Sequence, residues 1–338
     1  MKLEVKWFSV VAILLCSLVC FRSHGQLAGN TVPNTATFRI GYVRQDPEAI
    51  TTSGVYQQLV DFLVAQPAVI QAMKAADVRD IRPVSYDTHG MLNEAMDANQ
   101  LDLAFCSALD YSYQRGNYEP VFQIRRPGDP HSSSGERRVW HSGVIFVSAR
   151  SPLFAQETSA ALAALPAYVM EHGIAMVGSS SAAGYVYPYL ALDRLTSSVP
   201  VMNARSDFRD SSSEVIKAVV NGIYDVGACD SSAIDEVLKA HGLLPYKKDL
   251  IREILRTDPV PRDPIVLNER WVTASPYGNG HSLTLGREVT RAVGGFFRQT
   301  PGLPALERTS REPFVEVTEN LERFRLKREQ AASAAAAN

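Results

Sequence analysis

The residues with the clearest chemical potential lie in the stretch VGSSSAAGYVYP at Val177–Pro188. An apolar strand here runs into a turn rich in serine and glycine, and the start of a helix follows. Backbone N–H groups at a helix N-terminus, together with the helix dipole, favour an anion in front of them, and serine hydroxyls add hydrogen-bond donors. We predict an oxyanion cradle formed by Ser179, Ser180, Ser181, Gly184 and Tyr185. The alternative interpretation is an ordinary solvated turn.

The N-terminus has the pattern of a cleaved secretory signal over residues 1–25. Two lysines precede an apolar run over 7–21, and the small residues Ser23 and Gly25 occupy the positions that a signal peptidase reads. The run is shorter than the ~20 apolar residues of a membrane span. We therefore expect a mature chain that begins at Gln26, lies in the periplasm or outside the cell, and has no stable membrane insertion. An uncleaved anchor is the alternative.

Composition and motifs argue against several classes of function. The 338 residues carry a formal net charge of -2, and no basic stripe with interleaved aromatic residues indicates a nucleic-acid partner. The sequence contains no phosphate-binding P-loop, no zinc-ligand spacing and no G-x-S-x-G motif, so we predict no cofactor, no metal site and no catalytic residue. Cys106 and Cys229 are the cysteines left after signal cleavage, and their pairing stays open.

Strands and helices alternate along the chain in two similar halves. Buried strands are predicted at FRIGYV, LDLAFC, WHSGVIFVS and IAMV, and segments with helical spacing follow them. This alternation predicts an α/β fold, in which ligands bind beyond the carboxyl ends of the strands. The polar break at 127–138 and the proline-rich TDPVPRDP at 257–264 are predicted crossings between the halves. The resulting architecture is a two-lobed clamshell with two hinge crossings.

These crossings give the expected boundaries. Lobe 1 is discontinuous and covers 36–140 and 258–328, whereas lobe 2 covers 141–257. Within lobe 1, the apolar spacing predicts one helix over 55–76. The low-complexity tail at 329–338 is expected to be disordered.

An ordered set of motifs resembles the phosphonate-, phosphite- and phosphate-binding proteins of bacterial ABC importers. The set consists of FRIGYV, LDLAFCSALDY, WHSGVIFVSARSPL, VGSSSAAGYVYP, VIKAVVNGIYDVGACD and VPRDPIV, and it covers nearly the whole mature chain. Each motif alone is only modestly specific, but their order along the chain matches that of the family. The resemblance implies the type 2 periplasmic-binding-protein fold.

The resemblance also implies where ligand residues lie. Members of the family hold the phosphonate oxygens with the Ser-Thr-Ser hydroxyls and helix N–H groups of the turn, and these positions fall on Ser181, Ala182 and Ala183. Two of the three hydroxyls are therefore missing. A family histidine at the start of a later helix falls on Ser212, which removes a further donor. Tyr185 either stacks on the ligand or packs in the core.

Five further positions are implied by the same resemblance. An aromatic position at a strand end falls on Cys106, and a tyrosine ahead of the first-lobe helix aligns with His89. The aromatic-x-Ser motif falls on Trp140 and Ser142, and Trp140 either stacks on the ligand or packs in the core. Asp263 matches the acidic position that helps to hold the organic or amino end of the ligand. His89 is either a ligand donor or an exposed residue at a helix start.

The missing donors predict a pocket whose selectivity has changed. Each hydrogen bond to a charged oxyanion contributes about 1.5–3 kcal/mol, so ordinary phosphonates should bind weakly unless other donors replace the lost ones. We expect a non-catalytic solute-binding protein for a small anionic or zwitterionic ligand, with an ABC permease or a sensor as partner. One alternative is a degenerate clamshell that acts as an extracellular interaction module. Another is a thiol enzyme, with Cys106 or Cys229 as nucleophile and His89 or His141 as base.

The signal pattern makes a direct prediction about the secreted product. We expect its N-terminal residue to be Gln26, because Ser23 and Gly25 stand at the spacing from the apolar run that the peptidase requires. N-terminal sequencing of the protein recovered after secretion measures this. A product that still begins at Met1 would contradict cleavage.

Overall fold

The computed structural model describes residues 37–44, 54–114, 116–125, 140–196, 205–272 and 280–337. The predicted signal, 1–25, and the predicted first crossing, 127–138, lie outside these ranges. The described residues belong to one compact unit that contains two β-sheets. The α/β architecture with two lobes is therefore confirmed.

The first lobe is built on a sheet of six described strands in the order β11-β4-β10-β3-β1-β2. The strands are β1 (Thr37–Val43), β2 (Asp80–Tyr86), β3 (Leu103–Phe105), β4 (Tyr118–Arg125), β10 (Pro264–Asn268) and β11 (Ala305–Arg308). β1 is parallel to β2 and β3, whereas β10 is antiparallel to β3 and β4. The late strand β10 thus returns from the second half of the chain into the middle of the first sheet.

The second lobe is built on a sheet of five described strands in the order β7-β6-β8-β5-β9. The strands are β5 (Trp140–Ser148), β6 (Ile174–Val177), β7 (Ser206–Arg209), β8 (Val226–Asp230) and β9 (Ile251–Pro261). β6 is parallel to β7 and β8, and β5 is antiparallel to β8 and β9. The parallel strands of each sheet have ligand-accessible carboxyl ends, as the alternating pattern predicts.

Helices follow most of the parallel strands. They are α1 (Val55–Val64), α2 (Pro67–Ala75), α3 (His89–Asp97), α4 (Ala108–Tyr113), α5 (Thr158–His172), α6 (Tyr187–Arg194), α7 (Ser212–Val220), α8 (Ser231–Ala240), α9 (Lys247–Leu250), α10 (His281–Gln299) and α11 (Val315–Ala337). A π-helical turn, Ala182–Val186, leads directly into α6. Short 3-10 turns lie at Leu244–Tyr246, Glu269–Trp271 and Glu312–Phe314.

Two helical predictions need correction. The single helix expected over 55–76 is two helices, because Pro67 starts α2 and holds Gln66 in an extended conformation. The tail expected to be disordered, 329–338, instead continues α11 to Ala337. Alanine has the highest intrinsic helix propensity, so an alanine run prolongs a helix that is already nucleated.

The crossing between the sheets is shorter than the sequence pattern indicates. β9 ends at Pro261 in the second sheet and β10 begins at Pro264 in the first, so only Arg262 and Asp263 lie between the two sheets. The boundary expected at 257/258 is therefore displaced, because residues up to Pro261 stay paired with β5. Trp140 pairs with Pro261 and belongs to the second sheet, not to the first.

The C-terminal helix packs against both lobes. Before α11 begins, the ring of Phe314 lies 5.0 Å from that of Tyr111 in the first lobe. Within α11, the ring of Phe324 lies 5.1 Å from that of Tyr185 in the second lobe. Arg328 Nη1 donates a hydrogen bond to the Tyr185 hydroxyl at 2.8 Å. These aromatic contacts join a buried apolar cluster that both lobes share.

The fold predicts a strong penalty for a side chain at Gly143. A Cβ there would lie 2.1 Å from the carbonyl oxygen of Ala183, so Gly143→Ala forces the serine turn away from β5. We expect the free energy of unfolding to fall by ~1–3 kcal/mol, as measured by urea denaturation. Gly116→Ala is the control, because nothing lies within 4 Å of its added Cβ. Equal midpoints for the two variants would contradict the close contact.

Candidate functional site

A cleft of about 410 Å³ lies where the two lobes face each other. Its wall on the first lobe follows the carboxyl ends of β1, β2 and β3, and consists of Val43, Asp87, Thr88, His89, Gly90, Ser107 and Ala108. Its wall on the second lobe consists of His141, Val177, Gly178, Ser179, Ser180, Ser181, Ala182, Ala183, Phe208, Arg209 and Asp210. Asp263, from the crossing, completes the lining. The strand-end placement expected from the alternating pattern is thus observed.

The serine turn is held tightly at the start of its helix. Ser181 Oγ accepts a hydrogen bond from the Gly184 N–H at 3.0 Å, so this hydroxyl acts as the helix cap. A Cβ on Gly184 would lie 2.5 Å from Cγ2 of Val177, which explains the glycine. The N–H groups of Ala182 and Ala183 are in the first turn, where no intrahelical acceptor exists. Ala182 and Ala183 both line the cleft, so the turn keeps candidate backbone donors there although the two hydroxyls are absent.

A buried carboxylate holds the histidine on the second-lobe wall. His141 Nδ1 lies 2.7 Å from Asp230 Oδ2, and Asp230 is 5% exposed. The Asp230 carboxylate also accepts from the Ser232 N–H at 2.9 Å and lies 3.5 Å from Arg262 Nη1. Burial alone would raise the pKa of Asp230, but the charge and hydrogen bond of His141 and the charge of Arg262 outweigh it. The pKa therefore lies well below its ordinary value.

A second carboxylate–histidine pair lies on the first-lobe wall. His89 Nδ1 lies 2.5 Å from Asp110 Oδ2, and Asn93 donates to the other carboxylate oxygen at 2.7 Å. Asp110 is 1% exposed, and it forms a capping box with Ser107 at the start of α4. His89 is the first residue of α3 and is half-buried at the cleft wall, so its role as a ligand donor stays a prediction.

Asp263 brings a carboxylate to the cleft from the crossing. Its Oδ1 accepts a hydrogen bond from the Ala108 N–H at 3.2 Å, at the start of α4. The side chain is half-buried and lines the cleft. The flanking Pro261 and Pro264 restrict the backbone on both sides. An acid is therefore held in the same cleft as the serine turn, and its contact with a ligand stays a prediction.

Several predicted site residues lie outside the cleft lining. Tyr185 is 6% exposed and packs edge-on against Tyr189, Phe208 and Phe324, so its ring belongs to the core. Ser212 is 3% exposed, and its Oγ accepts from the Asp230 N–H at 3.4 Å. Ser212 therefore lies behind the His141 pair.

The predicted positions on β5 and directly after β3 also lie outside the cleft lining. Trp140 and Ser142 pair with Pro261 and Pro259 in the second sheet and are only partly buried, but neither lines the cleft. Cys106 is 5% exposed, and its Sγ lies 3.9 Å from the Pro264 carbonyl oxygen. Cys106 and Cys229 are both buried and are not joined in a disulfide, which answers the open question of their pairing.

Sequence reasoning missed part of the second-lobe wall. Phe208 and Arg209 line the cleft from the end of β7, and their segment, SDFR, shows no binding motif. The sequence offers His141 as a candidate catalytic base but not as a ligand residue, because its place in the cleft depends on the pairing of β5 with β8. The sequence signal that could have identified Asp230 as the partner of His141 is its position at a strand end, directly before two serines. Among the described residues, no group of three or more His, Cys, Asp or Glu side chains could hold a metal ion.

Solved structures with the same fold come from several bacteria. XAC2383 from Xanthomonas citri, bound to chloride, has 21% identity and a TM-score of 0.56, over 86% of this chain and 99% of that chain. PhnD1 from Prochlorococcus marinus, in complex with methylphosphonate, has 12% identity and a TM-score of 0.55, over 86% and 99%. A binding-protein component of an ABC phosphonate transporter from Pseudomonas aeruginosa has 11% identity and a TM-score of 0.52, over 89% of each chain.

The sequence itself carries the family assignment. Among curated proteins, no similar sequence was found. A profile of the family described as "ABC transporter, phosphonate, periplasmic substrate-binding protein" matches residues 65–318, which is most of the chain and spans both lobes. With the cleft between two α/β lobes and the serine turn on its wall, the chain belongs to the phosphonate-type periplasmic substrate-binding proteins of ABC transporters.

Proposed function

We propose that the cleft captures a small molecule with an oxyanion at one end and a cationic or hydroxylated group at the other, for uptake by an ABC permease. The observation that carries this proposal is the composition of one cleft. Backbone N–H groups and imidazoles line it together with the Asp263 carboxylate. A volume of about 410 Å³ falls in the usual range for small-molecule sites.

The charges on the lining favour such a two-ended ligand. Arg209 and the imidazoles of His89 and His141 offer positive or donor groups, whereas Asp87 and Asp263 offer acceptors. A ligand with only negative charge would be repelled by the carboxylates, because charges in a partly enclosed cleft are weakly screened. A zwitterion or a hydroxylated acid satisfies both sets of groups. The methylphosphonate complex of PhnD1 shows that one protein with this fold takes a phosphonate.

Closure of the lobes gives the transport function its physical basis. Ligand that contacts both walls stabilises the closed state by its differential affinity for that state. The closed form is the species that we propose a permease recognises, in the periplasm or at the outer face of the cell, with a sensor as another partner of the same kind. None of the described helices combines the length and apolarity needed to cross a membrane.

We still predict that ordinary phosphonates bind weakly. Ala182 and Ala183 leave the turn without two hydroxyls, but His141 and His89 lie in the same cleft as substitute donors. Titration calorimetry with 2-aminoethylphosphonate, methylphosphonate and phosphate measures the outcome. Native mass spectrometry of the purified protein tests in parallel for a ligand retained during purification. Failure of every oxyanion to bind, with no retained ligand, would contradict the proposed function.

Asp263 is expected to select the second end of the ligand. Asp263→Asn should weaken binding of 2-aminoethylphosphonate by about tenfold or more, and methylphosphonate much less, because only the first ligand has an ammonium group. The free energy of unfolding should change by less than ~1 kcal/mol. Asp258→Asn is the control, since its carboxylate is on β9 and pairs with Arg194 at 2.6 Å, outside the cleft lining. If both ligands lost the same affinity, Asp263 would not be the residue that binds the amino end of the ligand.

The two thiols are expected to be inert in the folded protein. Burial raises the pKa of the Cys106 thiol well above its ordinary value, and the charges of Asp110 and Asp263 raise it further. Cys229 is fully buried. Alkylation with iodoacetamide at about pH 8 should therefore modify neither cysteine until the protein is unfolded in guanidinium, as read by mass spectrometry. Rapid native alkylation of Cys106 would revive the thiol-enzyme alternative.

A further inference from the structure

Two histidines, one from each lobe, line the cleft and have their Nδ1 atoms against buried carboxylates. We propose that His141, together with His89, binds the ligand's oxyanion in its protonated form, so that ligand capture takes up protons from solution. This inference rests on the proposed function, because it names the donors and the charge state of the same cleft.

The geometry of His141 is the first step. Its Nδ1 lies 2.7 Å from Asp230 Oδ2, and the side chain is 11% exposed at the cleft wall. Among the described residues, Nε2 of His141 has no hydrogen-bond partner. A neutral imidazole that donates from Nδ1 carries a lone pair on Nε2, whereas an imidazolium donates from both nitrogens. Only the protonated form can therefore donate to an oxyanion while it keeps its bond to Asp230.

The charge balance behind His141 favours an added anion. Asp230 stays ionised at neutral pH, because its pKa lies below the ordinary value. Arg262 is 4% exposed and lies against the same carboxylate, and its Nε and Nη2 are buried without hydrogen-bond partners. One carboxylate thus faces two cations once His141 is protonated. The surplus positive charge is at the cleft wall, where a bound oxyanion balances it.

The first-lobe wall repeats this arrangement. Asp110 accepts from Asn93 and from the Ser107 N–H as well as contacting His89, so its carboxylate is fixed in place. A carboxylate at Nδ1 orients the imidazole and fixes which nitrogen faces the ligand. Closure of the lobes brings the two imidazoles toward one ligand. The titratable and charged groups around the two imidazoles are Asp230, Arg262, Asp110, Asp263, Asp87, Asp210 and Arg209.

The sign of the pH dependence follows from the donors. At low pH the imidazoles are protonated and donate to the oxyanion. An imidazole without its Nε2 proton presents a lone pair to the oxyanion instead of a donor, so we expect affinity to fall as the pH rises. The carboxylates of the cleft oppose a purely anionic ligand at both pH values. They therefore contribute little to the change in affinity between those values.

The test uses a ligand whose own charge stays constant. 2-Aminoethanesulfonate keeps one sulfonate and one ammonium group between about pH 5.5 and about pH 7.5, so a change in affinity over this range reports on the protein. Calorimetry with the full mature chain should show an affinity about tenfold or more lower at the higher pH. Repeating the titration in buffers of different ionisation enthalpy should show net proton uptake at about pH 7.

His141→Gln should abolish most of this pH dependence and weaken binding at the lower pH by about tenfold or more. His172→Gln is the matched control, because His172 is exposed on α5 beside Glu171 and does not line the cleft. Thermal melts of both variants at both pH values verify folding. Binding that is equal at the two pH values and unchanged in His141→Gln would overturn this inference while the proposed function stands.

A different result separates the two proposals. If no tested oxyanion binds the parent protein at either pH and no ligand is retained during purification, the proposed function and the inference both fail. If binding requires added Zn²⁺, the histidines serve as metal ligands and the imidazolium interpretation is overturned. Should His141→Gln unfold, His89→Gln provides the comparison from the first lobe, with a smaller loss of pH dependence expected.

Discussion

The two-residue crossing between β9 and β10 is the constraint on which the rest of the structure depends. Arg262 directs its guanidinium to Asp230 of the second lobe, whereas the neighbouring Asp263 accepts a hydrogen bond from Ala108 of the first lobe. Two adjacent side chains thus tie the crossing to both lobes. Because Pro261 and Pro264 restrict the backbone around them, relative movement of the lobes must be absorbed within a very short segment or in the other crossing.

The carboxylates of the cleft walls combine structural and chemical roles. Asp110 and Asp230 each satisfy N–H groups at the start of a helix and each also holds an imidazole. A buried charge is costly unless it is paired and hydrogen-bonded, and these two carboxylates meet that condition through several partners. Replacing either one would leave a helix start and a cleft histidine without support. Local fold stability and the electrostatics of the site are therefore linked.

Most elements of the fold could be predicted from sequence because they follow local patterns. Apolar patterns indicated the strands β1, β5 and β6 within a few residues. The cleft was harder, since the contact of His141 with Asp230 joins residues 89 positions apart through the register of β5 and β8. For Tyr185 the sequence left a core role and a cleft role as alternatives, because an aromatic residue in a buried turn has the same local pattern in either case. Family motifs placed Asp263 in the cleft, but they could not show that Ser212 lies behind the wall.

Gly143 has a consequence for how this binding site can change during evolution. Its missing side chain lets the carbonyl of Ala183 rest directly on β5, the strand that also carries His141. The serine turn and the second-lobe imidazole are consequently parts of one rigid block, and neither can shift without the other. Accommodating a longer or wider ligand is then left to Asp87, Thr88, Gly90 and Ala108 on the opposite wall, which surround the His89–Asp110 pair. Substitutions that retune specificity should accumulate at those positions, while the residues that hold the oxyanion stay unchanged.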